Sequence, residues 1–273
     1  MKTIFITGAS AGLGKATAQL FQSKGWHVIA TMRSPEKETE LNQLENVTLL
    51  PLDVTNIQQI ETTAQAAINL RDIDVVFNNA GYGLIGSLES YTEDQVRSQF
   101  ETNFFGVIWV TKAFIPYFKK RRSGLFITTT SLCGLVSLPL CSIYNASKWA
   151  LEGWSESMSY DLALFNIGIK TVAPGGIKSN YMNVMEVTEN GEYDALMQRL
   201  NEGFTDNTFM EFSDAEVIAG VVYDAATDQK DKVVYPAGND AVRIYGKRLE
   251  EGPEVYRKRV AKYLHLGSPY ENS

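Results

Sequence analysis

The sequence predicts an α/β protein with one doubly wound parallel sheet covered by helices on both faces. Short apolar runs rich in β-branched residues alternate with longer stretches of helical periodicity along the 273 residues. Most of these runs are apolar at every position, as in strands that are buried on both faces. Strands that alternate with helices form a parallel sheet with crossover connections, so we expect a single domain spanning residues 1–273.

The predicted elements follow one another in a regular order. The strands are expected at 2–7, 26–31, 47–52, 74–78, 124–130, 169–174 and 232–237. The helices are expected at 13–24, 56–69, 92–118, 143–165 and 213–227. The insertion at 178–212 carries Met, Tyr and Phe side chains and is predicted to be a substrate lid; a surface excursion is the alternative. The charged C-terminal extension at 240–273 is predicted to be a solvated helix with a frayed end.

The composition of the chain limits the classes of binding partner and the cellular compartment that we expect. The net charge of −7 argues against nucleic acid or an anionic membrane as a partner. The two cysteines, Cys133 and Cys141, do not suffice for a disulfide framework, and no apolar stretch is long enough to span a membrane. We therefore expect a cytoplasmic protein. No metal is expected, because the two histidines, His27 and His265, lie far apart in the sequence.

Polar residues and glycines follow five of the predicted strands. They are Gly8, Asp53, the segment "NNAG", Ser131 and the segment "PGG". These residue types also dominate ordinary turns, which is the alternative explanation for each of them. The carboxyl ends of parallel strands share one sheet edge, where ligands bind in doubly wound folds. The recurrence of such residues therefore predicts a binding site at this edge.

The first of these turns, "TGASAGLGK", has the features of a phosphate-binding turn. Gly8, Gly12 and Gly14 lie between the first strand and the first helix. Their spacing differs from the common G-x-G-x-x-G pattern, but the physical requirements are the same. Glycines let a pyrophosphate approach bare backbone, and the amide groups of the helix N-terminus can bind the anion.

The end of the second strand favours NADP over NAD as the dinucleotide. Proteins that bind NAD commonly place an acidic residue there, but this chain has Thr31, Met32 and Arg33. A guanidinium can pair with the 2′-phosphate of NADP, which a carboxylate would repel. NAD remains possible, because Arg33 could instead be a solvated loop cation.

Tyr144 and Lys148, in "YNASK", lie one turn apart on the predicted helix 143–165. An ammonium group beside a phenol favours the phenolate and lowers the phenol pKa from about 10. Tyr144 could then act as a general acid or base toward a substrate oxygen. A Tyr and a Lys at this spacing are common on helices, so the spacing alone does not identify a catalytic pair.

The chain resembles the short-chain dehydrogenase/reductase family over nearly its whole length. The resemblance rests on four motifs that occur in the order and rough spacing of that family: "TGASAGLG", "NNAG", "TSLCG" and "YNASK". Within the family, the sequence most resembles the hydroxysteroid- and retinol-dehydrogenase-like members. The resemblance implies a Rossmann-like fold. The resemblance implies that Tyr144 is the general acid/base and that Lys148 lowers its pKa and holds the nicotinamide ribose. It implies further that Ser131 binds the substrate oxygen and that Asn103 supports a water relay to the lysine.

The resemblance also implies a set of cofactor-binding residues and an oligomeric state. The family commonly has Thr where this chain has Ser179, which keeps a hydroxyl, and its members form dimers or tetramers. The implied cofactor-binding residues are Gly8, Ser10, Gly12, Leu13, Gly14, Arg33, Asp53, Val54, Asn79, Ala80, Gly81, Tyr144, Lys148, Pro174, Gly175, Ile177 and Ser179.

Several of these residues have a purely structural alternative. Ser131 could end a strand, Asn103 could satisfy buried backbone groups, Asp53 could cap the next helix, and Asn78 and Asn79 could form turns. We expect an NADP(H)-dependent oxidoreductase that acts on a small alcohol or carbonyl compound, mostly apolar. The alternatives are an NADP(H)-binding sensor without turnover and an epimerase or dehydratase of related fold.

Overall fold

The computed structural model describes residues 1–178 and 185–267. The strands in these ranges are β1 (Thr3–Thr7), β2 (His27–Met32), β3 (Val47–Pro51), β4 (Val75–Asn78), β5 (Leu84–Ile85), β6 (Gly124–Thr129), β7 (Ile167–Pro174), β8 (Ile177–Lys178), β9 (Glu186–Val187), β10 (Ser213–Asp214) and β11 (Val234–Ala237). The helices are α1 (Gly12–Ser23), α2 (Ile57–Leu70), α3 (Glu93–Phe100), α4 (Gly106–Arg121), α5 (Ser142–Ala163), α6 (Asp194–Thr205), α7 (Ala215–Thr227), α8 (Asn239–Glu251) and α9 (Pro253–Tyr263).

Seven of the strands in the described part of the chain form the central sheet. Their order is β11-β7-β6-β4-β1-β2-β3, and each neighbouring pair is parallel. These are the seven strands that the sequence predicts, so the doubly wound fold is confirmed. The chain winds outward from β1 in one direction and then, from β4, in the other. The carboxyl ends of β1 and β4 therefore border the crevice where such sheets bind ligands.

Helices cover the sheet with two separate apolar layers. On one face, Phe21 of α1 and Val222 of α7 pack with alternate residues of the central strands. On the other face, Phe114 of α4 packs on Phe5 of β1, with ring centroids 4.9 Å apart. Because both faces of the central strands are covered, most strand sequences are apolar at nearly every position.

The helix expected at 92–118 is interrupted by a π-helical turn. The turn spans Glu101–Phe105 and joins α3 to α4 without a break in the helical path. A capping box at Thr92 and Gln95 begins α3, as the sequence pattern T-x-x-Q favours. The π turn contains Asn103 and brings its side chain to the crevice.

A third apolar cluster lies outside the two layers, and it corrects the prediction for 240–273. The prediction of one solvated helix is wrong for the described residues, since α8 and α9 both bury a face. The end of the chain after residue 267, where fraying is predicted, lies outside the described residues. Ala241 and Ile244 on α8, and Tyr256 and Val260 on α9, pack in this cluster. The apolar residues recur every three or four positions, but the many charged residues between them conceal this pattern in the sequence.

Residues 185–212 of the predicted lid are described, whereas 179–184 lie outside the described residues. β9 pairs with β5 and β10 pairs with β8, so both ends of the described segment are tied to the domain. Leu196, Leu200 and Phe204 of α6 contact the third cluster. The role of this segment as a substrate lid stays a prediction. Of the helices in the described ranges, none combines the length and the apolar character needed to cross a membrane.

Candidate functional site

The glycine turn after β1 leaves its backbone uncovered at the sheet edge. Gly8 and Gly12 have φ angles of 67° and 53°, which favour glycine. A Cβ on Gly14 would lie 2.2 Å from the carbonyl oxygen of Gly8. The turn therefore depends on the absence of side chains at these positions. The N-terminal amide groups of α1 follow directly, as an anion site requires.

Asn79 fastens the "NNAG" segment to this turn. Its Nδ2 donates to the carbonyl oxygens of Thr7 (3.2 Å) and Gly8 (3.1 Å), and its Oδ1 accepts from the Thr129 hydroxyl (3.2 Å). The Thr7 hydroxyl oxygen accepts hydrogen bonds from the backbone N–H groups of Asn79 and Ala80. Asn79 thus links β1, β4 and β6 at the edge of the sheet, which is more than an ordinary turn former does.

Two basic side chains near the end of β2, Arg33 and Lys15, differ in whether they are paired with carboxylates. Arg33 is exposed. Lys15, the residue after the glycine turn, makes ion pairs with Glu38 (3.1 Å) and Glu40 (3.0 Å). Burial raises the pKa of Glu38, but hydrogen bonds from the N–H groups of Leu41 and Glu40 and from Lys15 outweigh it and lower the pKa. Arg33 is therefore an exposed basic side chain directly after the strand end, whereas Lys15 is paired.

Asp53 and Val54 follow β3 at the same edge. The Asp53 carboxylate accepts from the backbone N–H of Thr55 (2.9 Å) and from its hydroxyl (2.7 Å). The N-cap of α2 is Asn56, which accepts from the N–H of Gln59, so the alternative of Asp53 as the helix cap is wrong. Val54 packs against Gly106 at the start of α4.

Tyr144 and Lys148 lie on the first two turns of α5, and Lys148 is buried. The Lys148 Nζ donates to the carbonyl oxygen of Thr129 (3.0 Å) and lies 5.8 Å from the centre of the Tyr144 ring. A Cβ on Gly81 would lie 3.7 Å from this Nζ. Burial lowers the pKa of Lys148 to about 8. The structure thus brings the Tyr–Lys pair together with the "NNAG" segment.

Asn103 closes the other side of the lysine. Its Oδ1 accepts from the backbone N–H of Tyr82 (3.0 Å), and its Nδ2 donates to the Tyr82 carbonyl (2.9 Å). Asn103 therefore does satisfy buried backbone groups, as the structural alternative expected. Its Oδ1 also lies 2.9 Å from where a Gly81 Cβ would be, which places it beside Lys148. Gln99, one turn earlier, donates to the same Tyr82 carbonyl (3.0 Å).

Ser131 begins the short turn between β6 and α5. Its hydroxyl accepts from the N–H of Cys133 (3.1 Å), so it does cap the turn after the strand. Cys133 and Cys141 are both free and buried. Burial raises the pKa of Cys133 to about 11, so its thiol is neutral at physiological pH.

The segment after β7 is held by a carboxylate that sequence reasoning missed. Asp240 is fully buried and accepts from the N–H groups of Gly176 (2.8 Å), Ala241 (2.8 Å) and Glu211 (3.2 Å). A Cβ on Gly175 would lie 2.0 Å from both carboxylate oxygens, so Asp240 occupies the space that glycine leaves. The segment Pro174–Ile177 is thereby fixed to the start of α8.

Comparison with known proteins identifies the family. The family model described as "short chain dehydrogenase" matches residues 2–190. The chain belongs to the short-chain dehydrogenase family. It is similar to the 3-ketodihydrosphingosine reductase of Bacteroides thetaiotaomicron, with 38% identity over 193 residues, 69% of this chain and 70% of that protein.

Two solved structures share the fold of this short-chain dehydrogenase. A short-chain dehydrogenase from Streptomyces avermitilis has a TM-score of 0.83 and 29% identity, covering 96% of this chain and 95% of that one. A short-chain dehydrogenase from Burkholderia cenocepacia in complex with NADP has a TM-score of 0.77 and 23% identity, covering 95% of this chain and 99% of that one.

The predicted site residues of this short-chain dehydrogenase fall along one sheet edge. The glycine turn, Asn79, Asn103 and the Tyr–Lys pair are linked by the contacts above. Arg33 and Asp53 lie at the ends of β2 and β3, farther along the same edge. Ser179 lies outside the described residues. No group of three or more His, Cys, Asp or Glu side chains suited to a metal ion occurs within 1–178 and 185–267.

Glu152 is a second carboxylate that sequence reasoning missed. It lies on α5 one turn beyond Lys148, and its oxygens accept from the hydroxyls of Thr130 and, at 2.9 Å, Thr171. Asp240 and Glu152 both accept hydrogen bonds from residues distant in sequence. The residues that flank Asp240 and Glu152 in the sequence show no pattern that would identify either carboxylate.

Proposed function

We propose that this short-chain dehydrogenase is an NADP(H)-dependent oxidoreductase that moves a hydride between the nicotinamide and a secondary alcohol or carbonyl compound. Tyr144 is the general acid/base of the reaction. The observation that carries the proposal is the buried Lys148 ammonium beside the Tyr144 ring. A phenol needs such a charge to exchange protons near neutral pH.

The backbone of the glycine turn fits a dinucleotide. The turn is built tightly, since a Cβ on Gly8 would lie 2.8 Å from the Ala80 Cα and a Cβ on Gly14 2.2 Å from the Gly8 carbonyl oxygen, and it leads directly into the N-terminus of α1. Bound there, the cofactor supplies the hydride chemistry, and the protein positions it and handles the proton. Gly8, Ser10, Gly12, Leu13 and Gly14 would hold the pyrophosphate, whereas Asp53, Val54 and Asn79 to Gly81 would hold the adenosine and its neighbours.

Lys148 has two roles in this proposal. Its Nζ lies at the carbonyl oxygen of Thr129, close to the Gly81 backbone, where it can reach a ribose hydroxyl. Its charge also favours the ionised form of Tyr144, so the phenol becomes a stronger acid toward a carbonyl oxygen. Ser131 would donate to the same oxygen, and Asn103, beside Lys148, would support a water through which the proton is replaced.

The segment after β7 would border the nicotinamide. Pro174, Gly175 and Ile177 are the residues assigned there, with Ser179 next along the chain. Asp240 fixes this segment through the N–H of Gly176. A fixed segment supports a defined orientation of the nicotinamide ring, which hydride transfer requires.

NADP is the favoured cofactor, with NAD possible. Arg33 is exposed at the end of β2, where it can pair with a 2′-phosphate, while Lys15 is already paired with two carboxylates. Solved structures of the same fold contain either NADP, as in the Burkholderia cenocepacia protein, or NAD, as in a Burkholderia phymatum protein, so the preference rests on Arg33. Replacing Arg33 by Ala should weaken NADPH binding about tenfold or more, since a charge-assisted hydrogen bond contributes about 1.5–3 kcal/mol.

Arg33→Ala should leave NADH binding unchanged, because NADH has no 2′-phosphate. Lys120→Ala is a matched control, since Lys120 is an exposed cation on α4. Fluorescence titration of both variants with both nucleotides measures the effect. An equal loss of affinity for NADPH and NADH would contradict the role of Arg33.

The substrate is proposed to be a small, mostly apolar alcohol or ketone. Tyr144 packs against the third apolar cluster, which contains Leu138, and Leu196 and Phe204 pack against the same cluster. A relative of this chain is named as a reductase of a keto compound, 3-ketodihydrosphingosine. Truncating Leu196 and Phe204 to Ala should raise the Michaelis constant for the true substrate and leave that for NADPH unchanged.

We also propose that the chain is a homo-oligomer, dimeric or tetrameric, in the cytoplasm. Trp149 and Tyr160 on α5, and Leu164 directly after its last residue, are exposed although apolar or aromatic. Exposed apolar side chains on one helix support a contact with another copy of the chain. Light scattering on the purified protein measures the mass, and a monomer at all concentrations would contradict this part of the proposal.

Replacement of Tyr144 by Phe tests the proposed reaction. The change removes only the hydroxyl, so NADPH binding should be retained while turnover falls by at least about 100-fold. Tyr160→Phe is the matched control, because Tyr160 is an exposed phenol on the same helix. A screen of ketones, aldehydes and alcohols with both nicotinamides supplies the substrate. An active Tyr144→Phe variant would rule out the acid/base role, and binding without any turnover would indicate a sensor.

A further inference from the structure

The carboxylate of Glu152 is held next to Lys148 by two strands. One oxygen accepts from the hydroxyl of Thr130 and the other from the hydroxyl of Thr171 (2.9 Å). Thr130 follows β6 and Thr171 lies within β7, and both are buried. The Glu152 side chain therefore points from α5 toward the sheet. Glu152 follows Lys148 by one helical turn and lies on the same face of α5.

Gly134 allows this close packing. A Cβ on Gly134 would lie 3.0 Å from the Lys148 carbonyl oxygen and 3.3 Å from the Glu152 Cγ. The turn after Ser131 consequently lies directly on the part of α5 that carries Lys148 and Glu152. Lys148, Ser131 and Glu152 thus share one packed region behind the proposed reaction site.

Three titratable groups of the described residues face Lys148. Glu152 and Tyr144 come from α5, and Cys133 comes from the turn after β6. Burial raises the pKa of Cys133 to about 11, so its thiol carries no charge near neutral pH. Burial disfavours the Lys148 ammonium, and the negative charge of Glu152 opposes that effect. Burial raises the pKa of Glu152 above its usual value, and the hydrogen bonds from Thr130 and Thr171 and the charge of Lys148 offset only part of this rise.

We propose that Glu152 is a positioning residue that keeps Lys148 in its ammonium form during the reaction. The inference rests on the proposed function, since it assigns Glu152 an effect on Tyr144 through Lys148. Glu152 does not touch the reacting atoms. Its two hydrogen bonds aim the carboxylate between the strands, so its charge stays fixed while the substrate and cofactor come and go.

A purely structural role makes a different prediction. Glutamine has the same shape as glutamate and can still accept from a threonine hydroxyl, so it would keep much of the packing. It cannot supply the negative charge. The substitution Glu152→Gln therefore separates the charge of this residue from its place in the fold.

The experiment follows the titration of Lys148 directly, without cofactor or substrate. The protein is labelled with ¹³C at the lysine Cε atoms, and the Lys148 signal is assigned by its loss in Lys148→Met. The wild-type midpoint is expected near the pKa of about 8. In Glu152→Gln this midpoint should fall by about half a unit or more, because the ammonium loses a stabilising charge.

Two controls separate charge from packing. Glu156→Gln changes an exposed carboxylate one turn farther along α5 and should leave the midpoint unchanged. Thr171→Val removes one of the two hydroxyls that hold the Glu152 carboxylate ionised, so the midpoint should fall, but by less than in Glu152→Gln. Should Glu152→Gln fail to fold, Glu152→Asp withdraws the charge by one methylene and should shift the midpoint downward by a smaller amount.

A Lys148 midpoint in Glu152→Gln equal to that of the wild type would overturn the inference. Where Glu152→Asp has to be used instead, an unchanged midpoint in that variant would do the same. With a substrate in hand, the alkaline limb of the reduction rate should move to lower pH in the variant, as the lysine midpoint does. A wild-type protein without turnover on any alcohol or carbonyl would contradict the proposed function. The titration result would still decide whether Glu152 stabilises the Lys148 ammonium.

Discussion

Replacing Gly14 by Ala should damage cofactor binding far more than it damages the fold. The added Cβ would lie 2.2 Å from the Gly8 carbonyl oxygen and 2.6 Å from the Asn79 Nδ2, against a limit near 3.0 Å for real contacts. The first turn of α1 and the glycine turn must therefore separate by at least about 0.8 Å. The two obstructing groups are hydrogen-bonded to each other, and the Asn79 Nδ2 also donates to the Thr7 carbonyl of β1, so the helix N-terminus has to move.

The expected magnitude follows from that displacement. Losing one well-aligned hydrogen bond to a charged phosphate costs about 1.5–3 kcal/mol, which is about a 10- to 150-fold rise in the dissociation constant. A displacement near 1 Å can also lower turnover by about 100-fold. Titration of the variant with NADPH, followed by fluorescence, measures the binding loss, and a thermal melt confirms that the domain folds.

Gly220→Ala is the matched control for this experiment. Gly220 lies on α7, the helix that packs beside α1, and a Cβ there would meet nothing within 4 Å. The substitution should leave NADPH binding unchanged and raise stability by about 0.5–1 kcal/mol. Wild-type affinity in Gly14→Ala would refute the argument that the phosphate turn requires bare backbone.

Three further predictions follow from the site and the core. With the Lys148 pKa at about 8, kcat/KM for NADPH in the reducing direction should be about tenfold lower at pH 9 than at pH 7, as initial rates will show. Burial raises the pKa of Asp228, but the hydrogen bonds from Lys170 and its neighbours bring it down to about 2, so the ion pair stabilises the fold above pH about 4 and less as the pH falls toward 2. Asp228→Asn should therefore lower the free energy of unfolding by about 2 kcal/mol at pH 7 and less at pH 3, measured with urea. Phe114→Ala empties a fully buried position beside Phe5 and should cost about 3–5 kcal/mol in the same urea assay; a loss below about 1 kcal/mol would contradict the packing described.

The positions of the strands were predictable because most of them are buried on both faces. Continuous apolar runs such as "KTIFIT" leave few alternatives, and the alternation with helices then determines a parallel sheet. The two helices after residue 238 were not predictable in the same way. Each buries only a narrow stripe, and residues such as Ala241 and Tyr256 are separated by charged side chains. Their partner surface is formed by residues distant in sequence.

The site was predictable where its chemistry depends on local spacing. The glycine turn and the Tyr144–Lys148 pair each lie within one short segment, so the sequence displays them directly. Asp240 and Glu152 act across the fold instead. Asp240 accepts from the N–H of Gly176, which lies 64 positions earlier. Such partnerships arise from the meeting of the loop after β7 with α8, which no local pattern encodes.

The third apolar cluster has a consequence for the order of synthesis. It joins Leu138 and Tyr144 near the middle of the chain to Leu200 on α6 and Leu264 after α9. Chains emerge from the ribosome N-terminal end first, and early segments begin to fold before later ones exist. Strands β1 to β6 and the glycine turn can associate early. The third apolar cluster, against which Tyr144 packs, can form completely only after residue 264 has been synthesised. A nascent chain should thus complete the sheet edge that carries the glycine turn well before it completes the apolar cluster beside Tyr144.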